Sequence, residues 1–140
     1  MQTWVLYALL SMFSAGAVSV IGKMGLTGIS SEVGLTVRTL FVSFFVLIFA
    51  GIFTQAKEYA TLAWENYLWL GISGLATAFS WIFYYKALKI GNVANIALID
   101  KGSVVVAMIL AYLFLGEAIS WRMAGGCSLI VCGLLVIAWR

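Results

Sequence analysis

Hydrophobic and polar positions divide the chain into long apolar runs separated by short polar breaks. Trp4 to Ile21 carries no charge. Lys23 closes that run, and Gly22, Gly25, Gly28, Ser30 and Ser31 mark a turn. Val33 to Phe53 follows, opened by Glu32, an acid suited to the positive end of a helix dipole, and carrying Arg38 near its start. Gln55 to Glu65 is the longest polar stretch and is predicted to be a loop or a short interfacial segment. The third run, Tyr67 to Tyr85, is expected to be capped by Asn66 and closed by Lys86, Lys89, Gly91 and Asn92. Asp100 and Lys101 interrupt the fourth, Ala94 to Leu115, which Gly116 and Glu117 end. The fifth, Ile119 to Trp139, is flanked by Arg122 and Arg140.

Each run has roughly the 20 apolar residues a helix needs to cross a hydrocarbon core. None alternates with a period of two, which argues against a β-barrel. The pattern predicts an all-α, integral membrane bundle of five transmembrane helices, at about 4–21, 33–53, 67–85, 94–115 and 119–139, forming a single domain over 1–140. Trp4, Trp64, Trp69, Trp121 and Trp139 fall near the predicted helix ends, as an interfacial aromatic belt requires.

Composition agrees. Of 140 residues 64% are hydrophobic and 9% charged, with a mean hydropathy of +1.11. So few charges cannot coat a water-soluble surface, whereas lipid solvates an apolar exterior. The expected location is the plasma or inner membrane, crossed several times. The first run has no basic flank or early cleavage site and reads as a retained helix. Lys23, Lys86, Lys89 and Arg140 fall on one face of the membrane and Lys57 and Arg122 on the other. That bias favours a cytoplasmic C-terminus by a margin small enough to permit insertion in both directions.

With no histidine, the usual proton relays and metal sites are excluded, and no metal or other cofactor is expected. Cys127 and Cys132 are spaced onto different faces of a helix and read as small packing residues. No basic cluster suggests nucleic acid. No nucleophile–base pair or phosphate-cradling loop appears, so an enzyme ranks last.

The candidate site residues are the polar groups within the apolar runs. A charge at membrane depth costs on the order of 2.5–3.5 kcal/mol, which makes it a functional candidate by default. Asp100 and Lys101 lie roughly 9 Å along the fourth run at 1.5 Å per residue. Neighbours on a helix point about 100° apart, so the two are not expected to neutralise one another; Arg38, Lys86 or Lys89 could serve Asp100. Asp100 is read as a substrate or proton site, Lys101 and Arg38 as counter-charges. The competing readings are a structural ion pair and cationic side chains reaching up to the headgroups. On the third helix Ser73, Thr77 and Trp81 recur at i, i+4 and i+8, with Tyr84 and Tyr85 extending the face. Such a stripe suits a pocket that stacks a planar or cationic solute; alternatively the hydroxyls bond their own backbone. Small residues at helical spacing, such as Gly74 with Ala78 and Ala124 with Ser128 and Cys132, read as close-packing faces and suggest a dimer.

The stretch from Gly74 to Ala138 resembles the EamA-type domain of the drug/metabolite transporter superfamily. The resemblance rests on Tyr-Tyr-Lys-Ala-Leu-Lys-Ile-Gly (84–91), Ile-Asp-Lys-Gly-Ser-Val-Val (99–105) and Leu-Phe-Leu-Gly-Glu (113–117), with Arg38 and the five-helix length in keeping. Many relatives join two such units as an inverted pair around a central solute path. A single unit therefore implies a homodimer, plausibly antiparallel, that moves a small-molecule solute across the bilayer. Two departures stand out: the chain has no proline, which fourth helices of this family often carry, and Trp4 to Ile21 has no acid of the kind the distantly related small multidrug resistance proteins use. The alternative function is a non-transporting subunit or assembly factor that binds another membrane protein; a channel is a weaker third.

Overall fold

The computed structural model describes residues 3–138. The chain is all-helical, and no strand occurs among the described residues. Helix α1 spans Thr3–Gly25, α2 Ser31–Phe53, α3 Ala56–Tyr59, α4 Trp64–Ile90, α5 Val93–Asp100, α6 Ser103–Leu110 and α7 Trp121–Ala138, with a π-helical turn at Ala111–Leu115. Four segments are long and apolar enough to cross a membrane: 3–25, 31–53, 64–90 and 93–115. The fifth, within α7, is a shorter apolar helix.

The helix ends follow local chemistry. Ser30 caps α2, its side-chain oxygen accepting from the Val33 N–H at 3.3 Å, and Glu32 occupies the first turn as its charge predicts. Between α1 and α2 the chain reverses through Gly28 at φ +78°, a left-handed conformation in which a Cβ is strained. The polar stretch after α2 forms one short helical turn, α3, held by a reciprocal capping box in which Glu58 accepts from the Gln55 N–H at 3.0 Å.

Several boundaries differ from expectation. Helix α4 starts at Trp64, and the Asn66 N–H already bonds to the Ala63 carbonyl at 3.1 Å, so Asn66 lies inside the first turn instead of capping it. Helices α1 and α4 also run past their apolar stretches, to Gly25 and Ile90, because lysines in a last turn favour the helix terminus instead of breaking it. The 27 residues of α4 span roughly 40 Å at 1.5 Å each, more than the ~30 Å hydrocarbon core, so its charged end reaches headgroup depth. Asn92 ends no helix; it caps α5, accepting from the Ala94 N–H at 2.9 Å.

Contacts group the chain into two units, residues 20–90 and the remainder. In the first, α2 packs along α4. Leu26, Tyr85 and Leu88 are its buried apolar side chains, and Leu26 fills the space where Gly34 lacks a Cβ. In the second, α5 and α6 pack on α7. Between α5 and α6 the helix tightens: Lys101 N–H bonds to Leu98 O, Gly102 to Ile99 O, and Val104 to Lys101 O, a 3₁₀ pattern. Gly102 allows this turn to sit against α7, since a Cβ there would lie 3.0 Å from the Ile99 oxygen and 3.2 Å from Leu134. Gly116, at φ +69°, then stops the chain's fourth run, its N–H bonded to the Ala111 carbonyl.

The packed face of α7 is not the expected Ala124–Ser128–Cys132 stripe. Ser128 and Cys132 are exposed, and Cys127 is buried with its sulfur 3.4 Å from that of Met108. Leu134, which lies beside Gly102, is seven residues from Cys127 and so shares its face of α7, offset from the small-residue stripe. Most large apolar side chains face outward, including Trp4, Trp64, Trp69 and Trp121 near helix starts. Trp139 and Arg140, expected in the aromatic belt and the charge bias, lie outside the described residues.

Candidate functional site

In the unit of residues 20–90, α2 and α4 enclose an open groove of about 640 Å³. From α4 come Leu70, Ser73, Gly74, Thr77, Ala78, Trp81 and Ile82, at the three- and four-residue steps that keep one helical face toward the partner. The predicted Ser73–Thr77–Trp81 stripe is thus one wall. The other wall, from Leu35, Thr36, Thr39 and Leu40 of α2, went unrecognised in the sequence. Its signal is the spacing of Glu32, Thr36 and Thr39, a polar face on an otherwise apolar helix.

A smaller hollow of about 300 Å³ shares Leu35, Thr36 and Ile82 with the groove and adds Ser31, Glu32 and Lys86. The two hollows therefore form one track along α2 and α4, from an ion pair at one end to Leu70 at the other. In that pair Lys86 Nζ lies 3.8 Å from Glu32 Oε1, with both side chains more than half exposed. Such a pair adds little stability, roughly 0–1 kcal/mol.

The hydroxyls in the walls are partly committed. Thr36 donates to Glu32 O at 2.8 Å, Thr39 to Leu35 O at 2.8 Å, and Thr77 to Ser73 O at 2.9 Å. The backbone-bonded arrangement is therefore real for these three. Each oxygen keeps lone pairs that can accept from a hydroxyl or amine of a solute. Gly74 and Ala78, expected to bring helices close together, instead widen the groove: a Cβ on Gly74 meets nothing within 4 Å.

Arg38 stacks on α4. Its guanidinium carbon is 4.2 Å from the centre of the Trp81 ring and 5.7 Å from that of Tyr85. One of its terminal nitrogens is buried with no hydrogen-bond partner. The rings supply the electrostatic partner, since the π face of tryptophan attracts a cation. Tyr85 is buried beside Gly22 and, like Tyr84, is not among the groove-lining residues.

The other lysines have local tasks. Lys23 donates to the carbonyls of Leu88 and, at 3.3 Å, Lys89. Lys89 in turn donates to Leu26 O at 3.0 Å and Ile29 O at 2.7 Å. Lys23 thus caps carbonyls at the end of α4, where the dipole favours a cation, and Lys89 holds the turn that follows α1.

In the other unit, Asp100 is the last residue of α5 and Lys101 begins the tightened turn. Contrary to expectation the two reach one another, Lys101 Nζ standing 4.0 Å from Asp100 Oδ2, with both side chains substantially exposed. The long flexible stem of Lys101 at a helix break overcomes the 100° offset that separates neighbours within a regular helix. Lys86 and Lys89, suggested as partners for Asp100, are engaged with Glu32 and with backbone carbonyls.

Residues 2–139 match a family described as the EamA-like transporter family. A protein of Sinorhizobium sp., described as "Uncharacterized transporter in cobO 3'region", is 34% identical over 137 residues, covering 98% of this chain and 97% of that one. No solved structure matches.

Proposed function

The chain belongs to the EamA-like transporter family, and from that premise we propose that it is a secondary transporter moving a small metabolite by alternating access, as a homodimer of antiparallel copies in the plasma membrane. The observation that carries this reading is the α2–α4 groove, where an apolar track holds a few hydroxyls and one tryptophan. Apolar lining with few, placed polar groups is the common composition of a small-molecule site.

In this reading α7 is the fifth crossing. Its 18 residues extend about 27 Å, close to the hydrocarbon thickness. Ser73, Thr77 and Trp81 contact the solute, with Tyr84 and Tyr85 continuing the path. Arg38 and Lys101 are counter-charges, and Asp100 exchanges the proton or substrate at the break between α5 and α6. Discontinuous helices are where transporters commonly place such groups. Energy comes from a gradient.

The dimer is supported by the outward small-residue surface of α7. Cβ atoms on Gly125, Gly126 and Gly133 would meet nothing within 4 Å, which leaves room for a second helix at close range. The same surface suits a different membrane protein, so the alternative of a non-transporting subunit is tested alongside. Purified protein reconstituted into vesicles should support gradient-driven solute uptake as a dimer. Asp100→Asn should abolish coupled uptake while leaving the protein folded. Normal uptake by that variant removes Asp100 from the mechanism; a monomer that co-purifies in fixed ratio with another protein favours the subunit.

A further inference from the structure

A tryptophan face that already carries a cation is poorly suited to receive a second. Trp81 is the one aromatic side chain lining the α2–α4 groove among the described residues, and the Arg38 guanidinium lies over its ring at 4.2 Å. Within residues 20–90 no carboxylate pairs with Arg38, since the acid at the groove's end, Glu32, is engaged by Lys86. The hydroxyl protons of Thr36, Thr39 and Thr77 are committed to helix carbonyls. A guanidinium with one buried, unpartnered nitrogen therefore stands behind Trp81 as positive charge that no carboxylate in this unit offsets.

Resting on the reading of this groove as the solute site, the geometry points to a charge preference: the groove takes an apolar or aromatic solute bearing a carboxylate or similar anionic group, and discriminates against organic cations. Composition alone, hydroxyls beside an indole, would admit a cation. The placement of Arg38 reverses that. A solute cation near Trp81 meets a ring whose quadrupole is already engaged and a like charge behind it, in surroundings that screen weakly. An anion meets the opposite field of the same guanidinium. For unit charges about 8 Å apart at an effective dielectric of about 20, the interaction corresponds to roughly a thirtyfold change in affinity.

Three radiolabelled probes with one skeleton test this by equilibrium dialysis against the purified protein: 3-phenylpropionate, 3-phenylpropan-1-ol and 3-phenylpropylammonium. The carboxylate should bind at least tenfold more tightly than the ammonium. Arg38→Gln should reduce the carboxylate to the affinity of the alcohol and leave the alcohol unchanged, while Arg38→Lys should keep most of the order. Equal or tighter binding of the ammonium overturns the inference. So does an unchanged carboxylate affinity in Arg38→Gln, or the absence of saturable binding by all three probes. Should Arg38→Gln fail to fold, the wild-type order and the Arg38→Lys variant still decide. Flux of the same probes into vesicles separates this inference from the transport reading. The expected charge order without flux removes transport and leaves the preference standing; flux favouring the ammonium does the reverse.

Discussion

Gly74 offers a way to obstruct the groove without disturbing the fold. It sits on α4 between Ser73 and Leu75, lines the groove, and has open space where a Cβ would point. Gly74→Leu therefore adds a branched side chain to empty volume. The Cβ meets no neighbour and the rest of the side chain enters a groove of about 640 Å³, so the overpacking penalty of about 1–3 kcal/mol is expected to be small. Helix propensity favours leucine over glycine by up to about 1 kcal/mol, and the new methyls gain contact with the apolar walls. Thermal unfolding in detergent should show equal or higher stability, whereas solute flux into reconstituted vesicles should drop at least tenfold. Uptake at wild-type rates in a well-folded Gly74→Leu protein would refute the assignment of the groove as the path. A fall in stability of 2 kcal/mol or more would show, by the overpacking scale, that the groove is filled in the working protein.

Gly34, on the facing helix, should behave in the opposite way. Its Cβ would overlap Leu26, which is 2% exposed, so Gly34→Ala should cost roughly 1–2 kcal/mol after the propensity gain; a double-mutant cycle with Leu26→Ala should show the two changes compensating. Lys89→Met removes bonds to two carbonyls and should destabilise by about 1–3 kcal/mol, read by unfolding in mixed micelles; a change under about 0.5 kcal/mol would mean water replaces the lysine at no cost. Topology can be read with Cys127 and Cys132 replaced by Ala and a single cysteine at position 140, labelled in intact cells with an impermeant maleimide. Labelling of about half the molecules is expected for dual insertion; none before permeabilisation and all after it would fix one orientation and remove the antiparallel homodimer.

What the sequence revealed and what it hid divide along physical lines. Apolar length and a hydroxyl–aromatic stripe are properties of one segment, so four of the five spans and the Ser73–Thr77–Trp81 wall were legible from residues close together in the chain. The second wall depends on which face of α2 meets α4, and Thr36 and Thr39 reveal themselves only once that pairing is known. Arg38 was visible as an anomalous charge, but its seat on Trp81, 43 positions away in numbering, was not. The lysines misled the boundaries. Read as the end of apolar runs, Lys23 and Lys89 are in fact part of the helices they were expected to terminate, and their partners lie 60 or more residues off. Asp100 and Lys101 show the limit of ideal geometry, since their approach depends on a local tightening that Gly102 permits and periodicity does not announce.

The crossed lysines also set a schedule for biogenesis. Lys89 and its acceptor at Ile29 are 60 positions apart, and Lys23 and its acceptor at Leu88 are 65 apart. A ribosome adding about 5–20 residues per second makes the second half of that latch some 3 to 13 seconds after the first. During that interval the hairpin of α1 and α2 has been synthesised while the carbonyls that close its turn wait for a lysine not yet made. The nascent hairpin is thus made, and its turn left open, before the lysine that closes it exists.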